Sequence, residues 1–125
     1  MRTDSVTLQM QELLDEYSQE VQEVTTEAIE ETAAESVTML RNKSPKASGR
    51  YARGWTSKAD GPLGRIIYNK TDWQLTHLLE NGHVVANQFG NYGHPNGRVA
   101  GIKHIAPVEE WAADELPIRI SRGLS

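Results

Sequence analysis

The sequence predicts one α+β domain with a long N-terminal helix, a small antiparallel β-sheet made of a hairpin plus a C-terminal strand, and two short helices. Residues 5–42 contain neither Gly nor Pro and repeat apolar side chains every three or four positions, which is the helical period. Two stretches rich in β-branched and aromatic residues, 50–59 and 63–70, flank the turn residues Asp60, Gly61 and Pro62, the pattern of a hairpin. A chain of 125 residues, 38% hydrophobic and 24% charged, has the size and composition of a single folded domain, residues 1–125.

The helix is assigned to residues 1–42. Val6, Met10, Leu14, Tyr17, Val21, Val24 and Ala28 form one stripe that drifts to Ile29, Ala33, Val37 and Leu40. Asp4 or Ser5 would cap the first-turn amides, and Arg41 and Lys43 suit the negative end of the helix dipole. Such a helix would be on the order of 55 Å long, against a domain only about 30 Å across. Part of it would overhang, and its stripe at Leu14, Tyr17, Val21 and Val24 would need cover from another copy or another subunit.

A loop at 43–49 follows, with Ser44, Pro45 and Gly49 as breakers, and the compact part is assigned to 50–125. Strand 50–59 places Tyr51, Arg53 and Trp55 on one face, and strand 63–70 returns after the turn. The run 71–82, TDWQLTHLLENG, reads as a short helix capped by Thr71 or Asp72 and stopped by Gly82 in the left-handed conformation. Leu75, Leu78 and Leu79 would be its buried side, with Trp73, His77 and Glu80 on the other. An Asn/Gly-rich loop spans 83–103. Pro107 then opens a second helix with Val108, Trp111, Ala112 and Leu116 at core spacing, Pro117 ends it, and Ile118–Ile120 is the last strand. The expected core is Trp55, Ile67, Leu75, Leu78, Leu79, Ile105, Val108, Trp111 and Ile118.

The net charge of −4 hides a separation: residues 1–42 hold ten acids against two arginines, a net of −8, and the remainder is +4. Such asymmetry bears on surfaces and partners rather than on fold. There is no cysteine, which removes disulfide and thiolate chemistry. No apolar run approaches the roughly 18 residues of a membrane span, and the N-terminus lacks the apolar core of a secretory signal, so no membrane association is expected.

All four histidines, His77, His83, His94 and His104, fall within 28 residues that also hold five glycines. Their spacings do not match the close ligand pairs of a zinc site, and no cofactor or metal is expected. Hydrogen-bonded positions at helix ends suit them better, because both ring nitrogens can bond backbone groups. No nucleophile elbow or phosphate loop is present, and the neighbouring carboxylates Asp15/Glu16, Glu30/Glu31 and Glu109/Glu110 diverge on a helix rather than converge. No enzymatic activity is expected. The interleaving of Lys46, Arg50, Tyr51, Arg53, Trp55 and Lys58 keeps open a nucleic-acid-processing accessory, such as a His-metal nuclease or a DNA-binding regulator, as the alternative reading.

Over essentially the whole chain the order of elements, and above all IIYNKTDWQLTHLLENGH (66–83) and RVAGIKHIAPVEEWA (98–112), resembles the head-to-tail joining and tail-completion family of long-tailed bacteriophages. The resemblance implies a non-catalytic structural protein of the virion, assembled in the host cytoplasm. It would form a homo-oligomeric ring at the neck, between the head connector and the tail tube proteins, through which DNA passes. A base-lined lumen would hold DNA by many phosphate contacts. The acidic helix face, with Glu20, Glu23, Glu27, Glu30 and Glu31 as candidates, would therefore turn in part toward the lumen, and Lys46, Arg50 and Arg53 toward neighbouring subunits.

Overall fold

Two helices laid along one another, with a twisted sheet against the longer of them, make the body of the molecule. The structure is a computed structural model that describes residues 5–9, 18–46, 48–84 and 98–125. In chain order it contains β1 (Ser5–Gln9), α1 (Gln19–Lys43), α2 (Arg50–Arg53), β2 (Trp55–Ala59), β3 (Gly64–Asn69), a 3-10 turn (Trp73–Leu75), α3 (Thr76–Asn81), β4 (Gly82–Val84), β5 (Arg98–Ala100) and α4 (Ile105–Leu124). The α+β class, the long N-terminal helix and the antiparallel hairpin are as expected from the sequence.

Residues 5–9 are a strand, not the first turns of the helix. β1 pairs antiparallel with β3, Val6 opposite Ile67, so the sheet runs β1-β3-β2. The segment SVTLQ carries Val and Thr, which fit a pleated surface at least as well as a helix, and pairing with β3 overrides the absence of breakers. The helix itself begins at Gln19, where the Ser18 side chain accepts from the Val21 amide at 3.4 Å. At 25 residues it is about 37 Å long, shorter than the expected 55 Å.

Its buried face is Thr25, Ala28, Ile29, Thr32, Ala33, Ser36 and Leu40. Small side chains let α4 and the sheet approach closely, and Ile29, Ala33 and Leu40 join Tyr51, Trp55, Ile67, Ile105, Val108, Ala112 and Leu116 in one core. The second helix is 20 residues long and includes both Pro117 and residues 118–120, so the C-terminal strand expected there does not exist. A proline inside a helix removes one hydrogen bond, the one to the carbonyl four residues earlier. Here that carbonyl belongs to Ala113, which like Pro117 is exposed and can be served by water. Leu116 and the half-buried Ile120 stay in register with Ile105, Val108 and Ala112 on α1. The packing outweighs the lost bond.

The hairpin turn lies where expected, closed by the Asp60 amide on the Gly64 carbonyl at 2.9 Å. Residues 50–53, read as part of the first strand, instead form one helical turn. The 83–103 loop begins and ends in a short ladder, with Gly82 opposite Ala100 and Val84 opposite Arg98. Gly101 lies so close to the end of α3 that a Cβ would stand 2.4 Å from the Glu80 carbonyl, and the next amide, Ile102, donates to the Leu79 carbonyl at 2.9 Å. Gly82 has the expected positive φ of 83°, but with ψ 173° it leads straight into β4 rather than into a left-handed cap.

Candidate functional site

The polar side of α3, not its leucine side, faces inward. Asp72, Thr76 and Glu80 recur every four residues and are buried, whereas Trp73 is 62% exposed, Leu75 37% exposed and Leu78 and Leu79 only partly covered. The phase expected from the leucines is turned: Leu75 is exposed, Leu78 is half-buried, and Leu79 is half-buried against the core. Trp111 is also only partly buried, and Ile118 lies exposed on α4; the expected burial of Trp55, Ile67, Ile105 and Val108 holds.

The cause of this turned phase is Glu80, 2% exposed. Its Oε1 accepts from the amides of His104 (2.7 Å) and Ile105 (2.8 Å), and its Oε2 from Ala106 (2.9 Å). The first amides of any helix lack intrahelical partners and carry positive dipole charge. α4 has no capping side chain of its own, so α3 supplies a carboxylate from 24 residues upstream. Burial pushes the Glu80 pKa up, but the three backbone donors and His104 outweigh it, and the net direction is below the ordinary carboxylate value.

His104 is fully buried beside it. Its Nδ1 lies 2.7 Å from the Ile102 carbonyl and 2.9 Å from Glu80 Oε1, two acceptors that place the proton on that nitrogen. Nε2 is then free to accept from the Tyr51 hydroxyl at 2.7 Å. Burial first, then the charges of Glu80 and Asp72, raise the Tyr51 pKa above its usual value. Trp55, which meets both rings edge-on, donates from Nε1 to Ser44 Oγ at 2.8 Å. Asn69 completes the frame, donating to the Tyr51 carbonyl at 2.8 Å and accepting from the Thr71 and Asp72 amides. These groups are enclosed and bonded to one another, so the cluster works as a frame that fixes α3, the hairpin and the start of α4 together.

His77 is exposed on α3, His83 lies in β4, and His94 falls outside the described residues. The hydrogen-bonded position at a helix end that suits a histidine is taken by His104, at the start of α4. Among the described residues no three His, Cys, Asp or Glu side chains are placed to hold a metal ion. Glu80 and His104 were missed because hydrophobic periodicity treats a carboxylate as outward, and the donors that reverse this lie on another element.

Two surfaces remain. Glu20, Glu23, Glu27, Glu30 and Glu31 are all exposed and fall on one arc of α1 opposite its buried face, by the 100° advance per residue of a helix. None of the five is in an ion pair among the described residues; the ion pairs there are Arg50–Asp72, His104–Glu80 and those of Arg119 with Glu35 and Glu115. Like charges three and four apart cost the helix a few tenths of a kcal/mol per pair. Along one edge of the arc, Glu27, Glu31 and Glu35 rim an open groove of about 610 Å³ against Arg119 and Arg122 of α4, with Val24, Ala28 and Ala34 as apolar lining. Glu23 and Glu30 lie on the other edge, toward Pro62 and Leu63.

Of the expected apolar interface stripe, Leu14 and Tyr17 fall outside the described residues, and Val21 and Val24 are half-buried. Val24 packs within the chain, close enough to Gly123 that a Cβ there would stand 2.6 Å from it. For Val24, cover therefore comes in part from α4 of the same chain, which runs on past Pro117.

The second surface surrounds Trp73. Arg50 reaches Asp72 at 3.3 Å and the Thr71 carbonyl at 3.4 Å, while Arg53 and Lys70 are exposed and in no ion pair among the described residues. Lys46, expected to face a neighbour, turns back onto the last carbonyls of α1, donating to Asn42 and Ser44. Among the described residues no helix is long and apolar enough to cross a membrane. Compared with known proteins, the chain matches no family model, no curated protein and no solved structure.

Proposed function

We propose that this chain is a structural subunit of the head-to-tail junction of a long-tailed bacteriophage. Copies of it form a ring that completes the tail or joins it to the head connector, and DNA passes through the centre. The reading starts from the resemblance of segments 66–83 and 98–112 to that family. The observation that carries it furthest is the outward arc of five glutamates on α1, none of which is in an ion pair among the described residues of its own chain. A channel for DNA profits from such a lining, because carboxylates repel phosphate and release the duplex without the counterion-linked grip of a basic wall. Glu20, Glu23 and Glu30, none of which rims the α4 groove, are the lining residues in this proposal.

The alternative, a nucleic-acid-processing accessory, draws on Arg50, Arg53, Lys70 and the exposed Trp73, since an aromatic ring among cations can stack a base and hold phosphates. DNA ejection from assembled particles separates the two. With Glu20→Lys, Glu23→Lys and Glu30→Lys, ejection should slow at low ionic strength and recover with added salt. Ejection at the parental rate in low salt would remove the acidic lining from the DNA path.

A further inference from the structure

The Trp73 surface combines large exposed apolar side chains, Trp73 (62%), Leu75 (37%) and Ile102 (54%), with the cations Arg50, Arg53 and Lys70. They belong together in space: the Ile102 amide is bonded to the Leu79 carbonyl, the Lys70 amide to the Gly54 carbonyl, and Arg50 to Thr71. The groove between α1 and α4 offers the complement, an apolar lining of Val24, Ala28 and Ala34 edged by the carboxylates of Glu27, Glu31 and Glu35 on the α1 side, with Arg122 and Arg119, the latter held by Glu35 and Glu115, on the α4 side.

The two surfaces cannot meet within one chain. The Trp73 surface is tied to the C-terminal end of α1, where Trp55 bonds Ser44 and Arg41 donates to the Trp55 carbonyl at 2.8 Å. Glu27 lies 17 residues before Ser44, about 25 Å away along the helix. Surfaces that match each other but not themselves make head-to-tail contacts, which close into rings when the rotation allows. We infer that the Trp73 surface of one copy docks on the α1–α4 groove of a second copy, Trp73 seated on the apolar lining and Arg53 and Lys70 on Glu27 and Glu31.

A partly exposed tryptophan rimmed by charge is the composition of an interface hot spot, and opposite charge fixes its register. The inference rests on the ring reading above and deepens it by dividing the glutamates: Glu27 and Glu31 serve the contact between copies, Glu20, Glu23 and Glu30 the channel.

The test is the mass of the full chain by sedimentation velocity at about 50 mM and about 0.5 M salt, a range over which exposed charge pairs are progressively screened. The parent should self-associate at low salt. Glu27→Lys/Glu31→Lys and Arg53→Glu/Lys70→Glu should each remain monomeric, and Trp73→Ser, which alters a side chain outside the core, should weaken association about tenfold or more. Combining all four charge reversals in one chain, or mixing the two double variants, restores complementarity and should restore association. Circular dichroism confirms that each variant is folded.

Association of either double variant at the parental level, or failure of the fourfold variant and the mixture to recover it, would overturn the contact. So would a parent that stays monomeric throughout. Loss of binding to a short DNA duplex by Arg53→Glu/Lys70→Glu with unchanged mass would also overturn it, assigning the surface to nucleic acid. The function itself is judged separately, by the ejection of particles altered at Glu20, Glu23 and Glu30, so the contact can fail while the ring reading stands.

Discussion

α3 and α4 are both helices with leucines and tryptophans at helical spacing, yet they are oriented by opposite rules. α4 turns Ile105, Val108, Ala112 and Leu116 onto α1 and leaves its polar side to water. α3 and the 3-10 turn that leads into it bury Asp72, Thr76 and Glu80 and leave Trp73 and Leu75 outside. A six-residue helix has little apolar area to bury, whereas a carboxylate with three backbone donors waiting for it gains charge-assisted bonds that are roughly twice as strong as neutral ones. On a short helix one such anchor outweighs the hydrophobic stripe. On a long one the stripe wins, even across a proline.

Removing the anchor is the most damaging way to disturb this contrast. Glu80→Ala strips three amides of their acceptor and leaves His104 buried without its partner, and should cost about 3–5 kcal/mol in urea unfolding. Glu80→Gln, which keeps an acceptor oxygen, should cost less. Next come truncations on the two helices. Ile105→Ala, at a closed site of 1% exposure, should cost about 2–5 kcal/mol. Leu75→Ala, on the outward side of α3, should fall within roughly 0.5 kcal/mol of the parent. Equal costs for the two would contradict the turned phase.

Acid sharpens the same contrast. The folded pKa of Glu80 is lowered, so the unfolded chain binds its proton more readily. The stabilisation is fully present above the unfolded value near 4.3 and is lost as pH falls through the lower folded value. Stability of the parent should therefore drop below about pH 4, and that part of the drop should be missing in Glu80→Gln. Glu109 acts in the opposite sense: burial, together with the charge of Glu80, raises its pKa, so Glu109→Gln should ease a small penalty above the pH at which it ionises. The smallest effect belongs to Pro117→Ala, which restores one exposed helix bond and should raise stability by about 1 kcal/mol, read as a shift in thermal midpoint.

Much of the fold was legible. The hairpin announced itself through Asp60, Gly61 and Pro62 between two β-rich runs, and most of α1 through its period. The misreadings share a cause: each element was judged by its own residues where a distant partner decided. SVTLQ is a strand because β3 lies beside it, residues 118–120 are helical because α1 holds Leu116 and Ile120, and α3 is turned by amides 24 residues on. Of the candidate site, the glutamate arc could be read directly from spacing, because exposed charge on a helix needs no partner to fix its direction. The Trp73 surface could not, since its exposure follows from Glu80. Of the apolar stripe, Val24 is met by α4 of the same chain, a contact that spacing along α1 does not reveal.

Electron microscopy of phage particles assembled without this chain bears most directly on the proposed role. DNA-filled heads and separate, complete-length tails should accumulate, and purified protein added back should join them. Intact, ejection-competent virions formed in its absence would contradict a place at the head-to-tail junction.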